Sequence, residues 1–359
     1  MKIYIITIHC IHNFGSVFQS YGLVKYLRNI GYDAEIIDYR PDYYRKGRNI
    51  FRKYASIALN PFAYYKQYYL YLDFIKNNLN VTPIVYHTLE DLNSLQSADA
   101  LFIAGGDQIW NSFHPCGRDD AYKLVFARGK YKLAYGTSMG RNKFTREELE
   151  GLKTKIEDFE EIGLREQSTV PMLRPYCKCN VYHAADPVLL LDKNEYMKFV
   201  GTKRLIEEPY LLMYLADSSA LLNSTIEAIA NKRKLKVVHV CGFSKKCRCD
   251  YFLKSTGPAD LLNLIYYSDF VVSASFHATL FSIIFHKQFC TLLPEAATNT
   301  RIEDALSFFE LKDRIVRTQS DVLSLYADID FVRADSIREQ FVNNSKNNLI
   351  TSINKEYDK

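Results

Sequence analysis

"KIYIITI" (Lys2–Ile8), "HNFGSVFQSYGLVKYLRNIGY" (His12–Tyr32) and "DAEIIDY" (Asp33–Tyr39) together decide the fold. The first and last are short apolar runs, the pattern of strands buried on both faces. Between them Val17, Tyr21, Val24, Leu27 and Ile30 recur at helical spacing, and Gly31 stops the helix. Strand, helix and strand in this order make a βαβ unit, which requires a parallel sheet and an α/β fold.

The same alternation continues along the chain. "ADALFIAGGDQIW" (Ala98–Trp110), "YKLAYGTSMG" (Tyr131–Gly140) and "EIGLRE" (Glu161–Glu166) predict further strands with polar exits. Thr145 and Glu148 set a capping box for the helix before the last of these. "VYHAADPVLLL" (Val181–Leu191) closes a first half. "YLLMYLA" (Tyr210–Ala216), "KVVHVCGF" (Lys236–Phe243), "FVVSAS" (Phe270–Ser275) and "FCTLL" (Phe289–Leu293) alternate with helical stretches to build a second. The expectation is two Rossmann-like domains with parallel sheets, 1–195 and 205–330, joined near residues 192–208. A helical insertion at 40–80 belongs to the first, with one helix before Pro61 and one after it. A terminal helix at 331–359 packs back across the domains. Ligands of such sheets bind beyond the carboxyl ends of the strands, so the expected site is the interdomain cleft.

Length agrees with this division: 359 residues, at ~100–200 per domain, suit two domains. An apolar fraction of 48% supports sizeable cores. The formal net charge of +5 is too mild to imply nucleic acid and suits an anionic small substrate or an anionic membrane surface. Eight cysteines at irregular spacing do not form a disulfide framework, and C-x₅-C-x-C (Cys241, Cys247, Cys249) fits a tetrahedral zinc site poorly. "MKIYIITIHC" reads as a first strand rather than a secretory leader, and no run approaches the ~18 apolar residues of a membrane span. A reducing cytoplasm is the expected compartment.

The chemistry is expected at strand exits. The first offers His12, Asn13, Gly15, Ser16 and Gln19, either as an anion-binding helix start or as an ordinary cap. This is neither G-x-G-x-x-G nor a P-loop. "AGGDQIWN" offers Gly105, Gly106, Asp107, Gln108, Trp110 and Asn111: glycines for close backbone approach, a carboxylate for a hydroxyl, an indole for a sugar face. Thr137, Ser138 and Arg141 leave the next strand, and Arg165 with Glu166 the one after. Arg165 has the fork geometry for carboxylate or phosphate, or for a structural ion pair. "SFHATLFSIIF" (Ser275–Phe285) places His277 in the first turn of a helix that Ser275 caps, where an imidazole can serve as acid or base, while Leu280, Ile283 and Ile284 are core. Lys245, Lys246 and Arg248 share one loop and could meet an anion.

"NFGSVFQSYGL", "GGDQIWN", "LRE", "DPVLLL", "GPADLLNLI", "SFHATLFSIIF" and "TRIEDALSFFEL" occur in this order, and the set resembles the polysaccharide pyruvyl transferase family. The match is to a branch reading S-F-H where other members read S-R-x-H, which leaves that arginine without an equivalent. The resemblance implies a GT-B-like fold with no cofactor and no required metal. It implies phosphoenolpyruvate as donor and, as acceptor, a sugar or a polyprenyl-diphosphate-linked oligosaccharide of a surface polysaccharide. The product is a pyruvate ketal, with release of phosphate. On this reading His277 and Asp107 are catalytic. Arg165, Ser275, Phe276, Arg301 and Lys245 bind the donor. Asn13, Gln19, Gly105, Gly106, Trp110 and Asn111 shape the acceptor side. The basic, aromatic segment Arg40–Lys76 is either a packed helical insertion or a peripheral contact with the cytoplasmic face of an anionic bilayer. Two rival readings are a nucleotide-sugar glycosyltransferase of the same architecture, with Glu295 holding a ribose, and a non-catalytic carbohydrate-binding member of the family.

Overall fold

The computed structural model describes residues 1–45, 60–240, 244–293 and 300–357. Two compact units emerge: Met1–Arg48 with Asn77–Leu191 and Glu339–Lys359, and Asn49–Lys76 with Asp192–Arg338.

The first unit carries β1 (Lys2–Ile6), β2 (Asp33–Tyr39), β3 (Val81–Tyr86), β4 (Ala100–Ala104), β5 (Lys132–Thr137), β6 (Glu161–Leu164) and β7 (Asn180–His183), in the order β3-β2-β1-β4-β5-β6-β7. Its described pairings are all parallel. Ile3, Ile5, Phe102, Ile103 and Ile162 are fully buried, as apolar runs in a doubly covered sheet should be. The helix Phe14–Asn29 is buried almost all round, so its apolar residues mark no single stripe. Ile30 lies outside that core: it is the helix C-cap and 42% exposed. Gly31 follows with φ +99°, the left-handed conformation that ends the helix.

The second unit repeats the logic with β8 (Tyr210–Tyr214), β9 (Lys236–Val240), β10 (Tyr251–Leu253), β11 (Phe270–Ser273), β12 (Gln288–Leu292) and β13 (Ile315–Val316), in the order β10-β9-β8-β11-β12-β13. These pairings are parallel as well. Pro258 opens the helix Pro258–Tyr267, where Asp260 accepts a hydrogen bond from the Gly257 N–H at 2.8 Å. In each sheet the strand order reverses beside the first strand, between β1 and β4 and between β8 and β11. Doubly wound sheets bind ligands at that reversal.

The insertion expected within the first domain groups differently. The helix Pro61–Asn78 turns Tyr71, Phe74 and Ile75 inward, and Phe74 meets Phe199 at 4.9 Å between ring centroids. Leu70 packs against the Gly257 Cα, and the Ser255 hydroxyl donates to the Ala63 carbonyl. These contacts draw residues 61–76 to the second unit. The stretch 46–59, including any helix there, lies outside the described residues. Of the terminal helix Val332–Tyr357, the part from Glu339 belongs to the first unit. Ser345 Oγ accepts from the Ala185 N–H at 3.0 Å, and Tyr131 donates to the Ser352 carbonyl at 2.9 Å. The His183 ring lies tilted against Phe341, centroids 4.4 Å apart, and burial pushes its imidazole down to about 4.

Candidate functional site

In the first unit, one polar network joins the exits of β1, β4, β5 and β6. Asn13 caps the Phe14–Asn29 helix by accepting from the Ser16 N–H at 3.1 Å. The Ser16 hydroxyl donates to Asp107 Oδ2, while Asp107 Oδ1 accepts from the Gln108 N–H at 2.8 Å. Asp107 holds φ +71°, a conformation uncommon for a residue with a Cβ and concentrated at functional sites. Gln19 is fully buried, and its amide donates to Thr7 Oγ1 at 2.8 Å and the Ser16 carbonyl at 3.0 Å. Thr7 in turn donates to the Gly106 carbonyl at 2.9 Å.

Several expected acceptor-side residues therefore serve the scaffold. A Cβ on Gly106 would lie 2.6 Å from Gln19 Oε1, and one on Gly105 would lie 3.1 Å from Ile5 and Thr7. The close approach these glycines permit here is to Gln19, Ile5 and Thr7. Trp110 is only 3% exposed; its indole donates to the Tyr122 carbonyl at 2.9 Å and its ring meets Phe159 edge-on. That placement holds the indole in the core of the first unit. Asn111, also buried, donates to Gln108 Oε1 at 2.7 Å and accepts from the Phe113 N–H at 3.1 Å.

Arg165 lies at the next exit, after β6. It is buried with Asp186, Nε to Oδ2 2.9 Å, both side chains almost wholly removed from solvent. A guanidinium so placed forms the ion pair that its fork geometry also allowed. Beside it Glu166 accepts from the Ser138 hydroxyl and, at 3.2 Å, from the Met139 N–H. Arg141 is held by Glu148, Ser112 and the Lys143 carbonyl, between the rings of Phe113 and Phe144.

Three further residues brought together here carried no sequence signal beyond lying near strand ends. His9 Nε2 lies 3.0 Å from Asp38 Oδ1, with both side chains buried. Arg40 grips the same carboxylate at 2.5 and 2.8 Å. Burial pushes the Asp38 carboxyl up, but the hydrogen bonds from His9 and Arg40 outweigh it and leave the group below the usual carboxylate range.

In the second unit the junction after β11 is simpler. Ser273 donates to the Tyr214 carbonyl at 2.7 Å and accepts from the Ser275 N–H at 3.0 Å. Ser275 caps the helix Phe276–Ile284, accepting from the Ala278 N–H at 3.3 Å. Thr279 ties the first turn back to the Ser275 carbonyl and to Thr291, at 3.0 and 2.9 Å. His277 occupies that first turn, 6% exposed and edge-on to Phe276 at 5.2 Å. Leu280, Ile283 and Ile284 of the same helix are core. The Arg301 guanidinium lies 5.7 Å from the centroid of the Phe276 ring. Leu215, directly after β8, holds φ +51° and is half exposed, so this reversal also carries a non-glycine residue in the left-handed region.

Lys245 is an exposed member of the loop after β9. With Lys246 it faces buried His239, whose imidazole is held below its ordinary value by burial first and these two charges next. Cys247 and Cys249 are free thiols, and among the described residues no three His, Cys, Asp or Glu side chains are grouped to hold a metal ion. Cys241 and Glu295 lie outside the described residues. Among those described, no helix is long and apolar enough to cross a membrane.

Residues 13–294, which include both junctions, match the family described as polysaccharide pyruvyl transferase. The chain belongs to this family. Its fold is shared with sugar-handling enzymes of very different sequence. One is the UDP-GlcNAc 2-epimerase of Neisseria meningitidis bound to UDP-GlcNAc (TM-score 0.56, 9% identity, 99% of this chain and 100% of that one). Others are a Thermobaculum terrenum O-GlcNAc transferase mutant (0.52, 10%, 99% and 66%) and the trehalose-6-phosphate synthase OtsA (0.51, 9%, 97% and 96%). At such identities the likeness shows the fold alone: two Rossmann-like units of the GT-B kind. No curated protein sequence matches the chain.

Proposed function

We propose that the protein transfers the pyruvyl group of phosphoenolpyruvate to two hydroxyls of a sugar in a surface-polysaccharide precursor carried on a lipid. The observation that carries this reading is the family match across residues 13–294, with His277 set in the first turn of a capped helix inside it.

The chemistry fits those groups. A proton goes to C3 of phosphoenolpyruvate, making C2 electrophilic. The first acceptor hydroxyl adds to C2 and gives up its proton. Phosphate then leaves with its bridging oxygen, and the second hydroxyl closes the ring and releases its own proton. One enol phosphate and one diol become one ketal and one inorganic phosphate. His277 is the general acid–base in this proposal. The N–H groups of the helix start, with the dipole behind them, favour the anionic donor.

Arg301 takes the donor-binding place expected of Arg165. It stands over the ring of Phe276, the residue before His277, and would supply a cation that the S-F-H sequence lacks. Asp107, with both oxygens engaged, acts through Ser16 as a positioning residue rather than on the substrate. Thermal shift tests the donor: phosphoenolpyruvate should raise the melting temperature, and Arg301→Ala should remove most of the rise. Stabilisation by UDP-, GDP- or CMP-sugars, with none by phosphoenolpyruvate, would instead make the protein a nucleotide-sugar enzyme.

A further inference from the structure

The helix Pro61–Asn78 is unusual in what it leaves outside. Its inner face packs through Tyr71, Phe74 and Ile75. On the other face Phe62, Tyr65 and Tyr69 are 79%, 48% and 63% exposed. Residues 62, 65, 69, 73 and 76 follow one another at steps of three or four, with Lys66 beside Tyr65, so they form one stripe along the helix. Lys66 and Lys76 lie in it, Asp73 is its one acid, and beside it runs a hollow of about 530 Å³ lined by Lys66, Tyr69, Leu70, Leu72, Asp73 and Lys76.

Charge is concentrated in the same stretch of sequence. Residues 40–76 hold eight Lys and Arg against two Asp, a net of +6, in a chain whose whole net charge is +5. The rest of the protein is therefore −1. Eleven of those 37 residues are Phe or Tyr. An exposed aromatic row alone would suit a protein partner, and a basic patch alone would suit any anion. Lys66 and Lys76 share one exposed helix face with Phe62, Tyr65 and Tyr69, and that combination matches the interface of an anionic bilayer. There ring systems settle at headgroup depth, and nearby lysines are drawn by the negative surface potential.

We propose that the exposed face of this helix docks the protein on an anionic lipid surface. Phe62, Tyr65 and Tyr69 enter the headgroup region, and Lys66 and Lys76 pair with lipid phosphates. The inference stands on the helix itself and does not depend on the reaction, so its failure would leave the reading of the active site untouched.

Vesicle flotation with the full chain tests it. The protein should float with vesicles of phosphatidylcholine containing about a third phosphatidylglycerol and not with phosphatidylcholine alone, and about 0.5 M salt should release it. Phe62→Ser/Tyr65→Ser/Tyr69→Ser and, separately, Lys66→Glu/Lys76→Glu should each weaken binding about tenfold or more. Both sets lie on exposed positions, and unchanged melting would confirm the fold; the charge pair still decides the matter if the triple variant melts early. Equal binding to neutral vesicles, no binding to either, or undiminished binding by the charge pair overturns the proposal. Sedimentation of the wild type as a dimer that the triple variant abolishes, with no flotation, would assign the face to a second copy of the chain.

Discussion

The two strand-order reversals solve the same geometric problem with different chemistry. After β1 and β4 the chain uses acids and amides: Asn13, Gln19, Asp107 and Asn111 bond backbone and one another, and Arg165 is closed off by Asp186. After β8 and β11 it uses hydroxyls: Ser273, Ser275, Thr279 and Thr291 hold the turn, with His277 in the first turn of the helix that follows and Arg301 over Phe276. Each reversal carries a residue with a Cβ at positive φ, Asp107 in one and Leu215 in the other. The difference teaches that a dense polar cluster at a strand exit is not by itself a reaction centre. Hydroxyls satisfy the backbone without adding charge.

This contrast can be broken by experiment. His277→Ala should lower phosphate release about 10²- to 10⁴-fold with little change in melting; near-normal turnover would remove the imidazole from the chemistry. Arg165→Met should act on stability instead, costing about 3–5 kcal/mol in urea unfolding because Asp186 is left buried without its counter-ion. A higher KM for phosphoenolpyruvate with unchanged stability would return Arg165 to the donor site.

The pH dependence of the first unit follows from His183. Its folded value of about 4 lies below the ordinary value of 6.5, so between these limits the unfolded chain binds more protons. The contribution of His183 is full above pH 6.5 and falls on acidification, by about 2 kcal/mol at pH 5. His183→Phe should flatten this slope in unfolding measured across that range. Next in size is the Ser16–Asp107 bond. Ser16→Ala and Asp107→Asn should each cost about 1–2 kcal/mol and be non-additive, as a double-mutant cycle would read. Ser275→Ala should cost about 1 kcal/mol in the second unit, as loss of a helix cap.

How far the sequence shows all this follows from burial. Central strands such as Phe270–Ser273 and Ala100–Ala104 are covered on both faces and read as apolar runs. The strands with no such run, β3, β10 and β13, all lie at sheet edges. Pro83 sits inside β3, where an edge tolerates a residue without an N–H, and β10 and β13 are three and two residues long. The caps at Asn13, Thr145 and Ser275 are local hydrogen bonds and were legible. Pairings such as Arg165–Asp186, His9–Asp38 and Trp110–Tyr122 join residues distant in sequence, and spacing cannot announce them. Residue type and strand-end position suggested a ligand for Arg165 and Trp110; only the packed structure shows that protein already surrounds them.

The central claim is that the family's pyruvyl chemistry runs at the His277 junction with phosphoenolpyruvate as donor. Phosphoenolpyruvate labelled with ¹³C at C2, incubated with the protein and polyprenyl-linked galactose-type acceptors, tests it by NMR. The account predicts label in a quaternary ketal carbon and one phosphate released per ketal formed, both lost in His277→Ala. Label that stays in phosphoenolpyruvate while a nucleotide sugar is consumed, or ketal formed undiminished by His277→Ala, would contradict it.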